Sequence, residues 1–195
     1  KNAAQARIRG IEADVSWAVS EQFNLTTGVS FLDSELTENY CGFTDDRGNP
    51  ITAGNCPFTD PDTGDVTFND PQAKKGTQLP VTPKFKGNVT GRYEFPMAGF
   101  EAYVQGALVY VGERRSDLRE FENDIVGDLD AYTLVDLSTG IGRGNWNLDL
   151  FINNAFDEEA TLYRYAECAE AVCGPQTYNV NATPRTIALK FSQKF

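Results

Sequence analysis

Lys84-Phe85-Lys86-Gly87-Asn88-Val89-Thr90-Gly91-Arg92-Tyr93-Glu94-Phe95 is the stretch that decides the fold class. Its odd positions, from Phe85 to Phe95, hold only apolar residues and glycine, and its even positions, from Lys84 to Glu94, only polar or charged ones. A period of two sends alternate side chains to opposite faces of a strand, whereas a helix would mix the two sets around its circumference. Pro96-Met97-Ala98-Gly99 is a brief turn into Phe100, Ala102, Val104, Leu108 and Tyr110, which alternate with Glu101, Tyr103 and Gln105. Two alternating runs joined so tightly read as an antiparallel hairpin.

The same pattern extends in both directions. Towards the N-terminus, Ile11, Ala13, Val15, Trp17 and Val19 oppose Glu12, Asp14 and Ser16; three residues later Phe23, Leu25, Val29 and Phe31 oppose Asn24, Thr26, Gly28 and Ser30. Towards the C-terminus, Thr133, Val135, Leu137 and Ile141 oppose Asp136 and Ser138, and Arg143-Gly144-Asn145 turns the chain into Trp146, Leu148, Leu150, Ile152 and Phe156. Ile187, Leu189, Phe191 and Phe195 then alternate with Thr186, Ala188, Lys190, Ser192 and Lys194. The periodicity predicts an all-β, antiparallel, up-and-down arrangement of about seven strands.

Connection lengths alternate. Three are short, near Glu21, Met97 and Gly144, and three are long, roughly within 35–80, 114–130 and 158–183. Outer-membrane barrels have short periplasmic turns and long extracellular loops, whereas a soluble sandwich has no reason to gather its long loops at one end. Aromatic residues agree: Trp17, Phe23, Tyr93, Phe95, Phe100, Trp146 and Phe195 fall by the short turns, and Phe31, Phe85, Tyr110, Tyr132 and Phe156 lie nearer the long loops. Two such belts bracketing an apolar band suit a transmembrane barrel wall.

Composition narrows the functions. No run of about eighteen apolar residues exists to form a membrane-spanning helix. A mean hydropathy of −0.40 is compatible with spanning strands, whose apolar band is hidden in alternation. A net charge of −11 disfavours nucleic acid, whose phosphates are bound by surplus Lys and Arg. Histidine is absent, which removes Ser-His-Asp chemistry, and no catalytic constellation is found, so an enzyme is not expected. The chain starts at Lys1 without an initiator Met or leader and enters alternation almost at once, as a piece of something longer would.

The four cysteines form two close pairs, Cys41 with Cys56 and Cys168 with Cys173, each in a loop-like stretch, and they are expected as two local disulfides of an oxidising compartment. A zinc site is the weaker alternative, without histidine or a Cys-x2-Cys spacing.

Four segments resemble TonB-dependent outer-membrane receptors. They are Ala6-Arg7-Ile8-Arg9-Gly10-Ile11-Glu12-Ala13, Leu79-Pro80-Val81-Thr82-Pro83-Lys84-Phe85, the hairpin from Ala131-Tyr132-Thr133 to Asn153-Asn154-Ala155-Phe156-Asp157, and Pro184-Arg185-Thr186-Ile187-Ala188-Leu189-Lys190-Phe191-Ser192. Gln193 stands where an aromatic is common in that family. The resemblance implies that residues 1–195 are the C-terminal part of a barrel of the 22-strand class, whose plug and remaining strands are not in this sequence. It further implies residence in the outer membrane of a Gram-negative bacterium, among lipid and lipopolysaccharide. The expected role is uptake of a scarce nutrient, a ferric siderophore before others, with energy delivered by TonB through the plug. The terminal Phe195 would be what the barrel-assembly machinery reads.

Candidate binding residues lie in the long loops. Arg114, Arg115 and Arg119 suit bidentate contact with an anionic chelate or a lipopolysaccharide phosphate, although Asp117, Glu120 and Glu122 are interleaved and could neutralise them. Tyr163, Arg164 and Tyr165 combine aromatic and basic character suited to ligand capture, or are ordinary surface residues. Asp60, Asp62 and Asp65 could wrap calcium, a hard cation that takes several oxygen ligands, or form a solvated turn. The rival to a receptor is a secreted, disulfide-clipped β-sandwich binding carbohydrate or calcium.

Overall fold

Alternation becomes a single sheet of seven strands. The computed structural model describes residues 5–42, 56–59, 62–165 and 176–195. The sheet is built from β1 (Ala6–Ala18), β2 (Phe23–Leu36), β5 (Phe85–Met97), β6 (Phe100–Val111), β7 (Tyr132–Arg143), β8 (Trp146–Asn153) and β11 (Thr186–Gln193), each antiparallel to its neighbour and in chain order. The long connections carry short elements: β3 (Cys56–Thr59) pairs with β4 (Val66–Asn69), β9 (Thr161–Tyr165) pairs with β10 (Tyr178–Asn181), and α1 (Glu120–Val126) lies between β6 and β7.

Register carries the apolar residues onto one face across the whole sheet. Val15 lies opposite Thr27, Thr27 opposite Val89, Val89 opposite Leu108, and Leu108 opposite Val135. Beyond them, Leu137 is opposite Ile152 and Ile152 opposite Ile187. A slip of one residue in any strand would turn its whole apolar set to the other face, so the pattern specifies the register.

That face is uncovered. Ile11 is 74% exposed, Trp17 59%, Leu189 70% and Phe191 63%. The strands contact their hydrogen-bonded neighbours, and among the described residues no second sheet packs on the seven. This overturns the β-sandwich rival, because a sandwich buries one face of each sheet against the other.

The three short connections stand where expected, at 19–22, 98–99 and 144–145. Ala98 (φ 50°) and Gly99 (φ 82°) are both left-handed, as a two-residue hairpin turn of type I′ requires to match strand twist. Aromatic contacts sit at two levels on the apolar face. Near the short turns Phe100 meets Trp146 at 5.8 Å and Trp146 meets Phe191 at 6.5 Å between centroids; near the long loops Phe31 meets Phe85 at 4.6 Å and Phe85 meets Tyr110 at 5.7 Å. Ten residues separate Phe85 from Phe95, about 33 Å along a strand and about 25 Å across a layer at a tilt near 40°. Tyr132 corrects the expected outer belt: its neighbour Thr133 shares a face with Tyr110, so Tyr132 is on the polar face.

Ala102 on β6 is buried within the sheet, but most of the buried apolar residues gather at one end of it. Leu36, Cys41, Cys56, Ala73, Val126, Leu129 and Ala160 are buried, all at the long-loop end. Cys41 and Cys56 form the expected disulfide. Cys168 and Cys173 lie outside the described residues.

Candidate functional site

The polar face and the long-loop end are the two places where this chain can meet a solute. On the polar face Arg92 donates to Glu94 at 2.7 Å, and its guanidinium lies 3.6 Å from the centroid of Tyr103. The Tyr103 hydroxyl donates to Asp149 at 3.0 Å, crossing β7 above Gly140. A Cβ at Gly140 would stand 2.5 Å from the Tyr103 ring, so the absent side chain is what lets the ring lie flat across the strand. Ser30 donates to Glu12 at 3.0 Å further along. These separate clusters line the polar face with hydrogen-bonded side chains.

At the other end the three long connections are tied to one another. The amide of Glu120 donates to the Gln72 carbonyl at 2.7 Å, that of Val81 to the Arg115 carbonyl at 2.9 Å, and Lys74 pairs with Glu120 at 3.5 Å. These join the first connection to the second. The second and third are joined by arginines. Arg114, 4% exposed, donates to the carbonyls of Thr161 at 3.0 Å and Leu162 at 2.9 Å, with longer contacts to those of Gly112 and Asp130. Arg164 donates to the Val126 carbonyl at 3.0 Å, at the C-terminal end of α1, and to Asn179 at 2.9 Å. A helix C-terminus presents unpaired carbonyls and partial negative charge, so a guanidinium is well placed there.

Arg119 is held within its own loop by Asp117 at 3.1 Å and Glu122 at 2.6 Å. Burial acts to raise the Asp117 carboxyl, but hydrogen bonds from the Arg119 side chain and backbone, the Arg119 charge and the Leu118 amide outweigh it and hold the group below its ordinary value. Arg119 is correspondingly raised, chiefly through its hydrogen bond with Asp117. Arg115 donates to the Asp117 carbonyl at 3.3 Å. The six residues singled out in these loops are therefore brought into one region, but the guanidiniums of Arg114, Arg119 and Arg164 each have several partners within the protein.

The tyrosines are disposed differently. Tyr163 and Tyr165 stack at 5.7 Å, and Tyr165 stacks on Tyr178 at 5.7 Å across the β9–β10 pair. With Val180 they form one exposed face, each between 40% and 48% open. Sequence reasoning missed Tyr178, although Tyr178-Asn179-Val180-Asn181 carries the same alternation as Tyr163-Arg164-Tyr165. It also missed Asn123, whose buried side chain accepts from the amides of Ser116 at 3.1 Å and Asp117 at 3.2 Å.

Asp62 and Asp65 occupy the exposed turn before β4, with Asp60 outside the described residues; among those described, no group of three potential metal ligands gathers. Phe195 is fully exposed at the short-turn end, where Lys194 exchanges hydrogen bonds with Asn145 at 2.8 and 3.0 Å.

A one-layer wall with one apolar face, one polar face and its long loops at a single end is the architecture of a transmembrane barrel segment. The family model described as TonB dependent receptor-like, beta-barrel matches residues 1–155, and the chain belongs to that family. It is a family of receptors, not of enzymes. A metal-pseudopaline receptor, CntO of Pseudomonas aeruginosa, is 28% identical over 159 residues, covering 80% of this chain and 18% of its own length. Among solved structures, the ferric yersiniabactin uptake receptor FyuA from Yersinia pestis superposes with a TM-score of 0.70 at 16% identity, over 100% of this chain and 24% of its own. The siderophore receptor PiuA from Acinetobacter baumannii gives 0.66 at 21% identity, over 97% and 22%. The chain spans about a fifth of the length of these relatives.

Proposed function

We propose that this chain is the C-terminal wall of an outer-membrane receptor that captures a metal chelate at the cell surface and passes it inward along the polar face. The observation that carries this reading is the opposition of faces: Val89, Leu108, Val135 and Leu150 outward, Arg92, Tyr103 and Asp149 inward, with the interlocked loops at one end only. Its relatives bind a metal-pseudopaline complex and ferric yersiniabactin, which supports a metal chelate, a ferric siderophore before others, as the cargo. Energy from TonB, delivered through a plug held by the rest of the receptor, belongs to the same reading. So do lipid and lipopolysaccharide as neighbours of the apolar face, and Phe195 as a signal for barrel assembly.

The test is uptake of radiolabelled iron chelates by metal-starved cells. Deleting the intact receptor is expected to abolish uptake of one chelate class, and deleting TonB to do the same. Unchanged uptake across hydroxamate, catecholate and carboxylate chelates would contradict the reading.

A further inference from the structure

The charge of this chain is concentrated at one end. The described residues of the connections 37–84, 112–131 and 154–185 hold fourteen carboxylates and eight Lys and Arg, and so carry −6 of the −8 borne by all the described residues. Four of the eight described basic residues in these connections are engaged within the protein. Arg114 is buried against loop carbonyls, Arg164 is fixed at the end of α1, Arg119 lies between Asp117 and Glu122, and Lys74 is paired with Glu120. Exposed among them is a neutral stacking surface, Tyr163, Tyr165 and Tyr178.

Resting on the uptake reading, we infer that the loops of this chain select a chelate with no net negative charge, neutral or cationic, which they hold by stacking on the Tyr163–Tyr165–Tyr178 face. Arg114, Arg119 and Arg164, expected to recognise an anion, are structural ties instead. A field of one sign steers ligands of opposite sign and repels its own, changing association rates by about tenfold to a thousandfold at low salt. An aromatic face favours a cation or a planar neutral group over it, and offers an anion no donor apart from the phenol hydroxyls.

The experiment uses the intact receptor in detergent and three gallium complexes: a trianionic tris-catecholate, a neutral tris-hydroxamate, and a tris-hydroxamate bearing one protonated amine. The monocation and the neutral complex are expected to associate at least about tenfold faster than the trianion at low salt, with the gap closing as ionic strength rises. Replacing the exposed Glu113, Asp124 and Asp130 by their amides should narrow the gap, and Tyr165→Ala with Tyr178→Ala should weaken binding of the monocation and neutral complex without restoring the trianion. Equal or faster capture of the trianion overturns the inference. Capture of none of the three overturns it too, while the uptake assay separately decides whether the receptor reading falls.

Discussion

Arg114 is buried at the loop end with two short hydrogen bonds to backbone carbonyls of the next loop. A buried guanidinium and the carbonyls it serves depend on each other, since hydrogen bonds involving a charged group are worth about 1.5–3 kcal/mol and an orphaned buried partner pays its desolvation. Arg114→Ala is therefore expected to lower the local opening energy of 112–131 and 161–165 by about 3 kcal/mol, roughly a hundredfold in amide exchange, leaving β6 and β7 protected. Arg114→Lys should not restore it, because an ammonium lacks the planar fork that reaches two carbonyls together. Unchanged exchange in both variants would show that the tie is dispensable. The sequence marked Arg114 as a candidate site residue, but a basic residue beside a strand end looks the same whether it meets a ligand or a carbonyl. Its role was illegible because its partners, Thr161 and Leu162, are remote in sequence and contribute only backbone atoms. Asp117 makes a pH prediction. Its folded value lies below the ordinary carboxylate value, so its contribution is fully present above about pH 4 and is lost as pH falls through the lowered folded value. Amide exchange across α1 should rise on acidification below that point, and Asp117→Asn should show the acid behaviour already at neutral pH. Acid-insensitive exchange in the parent protein would contradict it.

Elements were legible in proportion to their length. Strands with many alternating positions, such as Phe85–Met97, announce both their type and their buried or exposed face, and all seven strands of the sheet follow the apolar sets read from sequence. The short pieces did not announce themselves. β3, β4, β9 and β10 have four or five residues, and α1 has seven, fewer than two turns, too few for a period to stand out. They persist because the loops are tied to one another by backbone and arginine hydrogen bonds, and the first is stapled by Cys41–Cys56. In the chain-entropy account, a disulfide closing a separation of 15 residues contributes about 3 kcal/mol. Replacing Cys41 and Cys56 by serine should loosen 37–84 to proteolysis by an amount of that order, while the folded barrel keeps its resistance to detergent denaturation. Loss of that resistance would place the disulfide in the stability of the wall itself.

For the whole molecule, the inverted distribution of burial is the informative feature. The residues with least exposure are at the loop end, while the large apolar side chains of the sheet face outward. In water such a surface would drive association, far beyond the few hundred Å² that a soluble monomer tolerates; in a bilayer the same face meets hydrocarbon at no cost. Among the described residues β1 and β11 also end the sheet with unpaired edges, which hydrocarbon does not tolerate, and the proposed receptor would supply the strands that pair with them. These conclusions were within reach of the sequence, because the period-two pattern and the segregated loops are one-dimensional signals. Photo-crosslinking in the intact receptor in its native membrane decides whether the apolar face meets lipid. Benzoylphenylalanine would be placed in turn at Leu108, Val135 and Leu150 on the apolar face, and at Gln105, Ser138 and Phe151 on the polar face. Lipid adducts are predicted at the first three positions and protein adducts or none at the second three; lipid adducts on both faces, or on neither, would contradict the barrel wall described here.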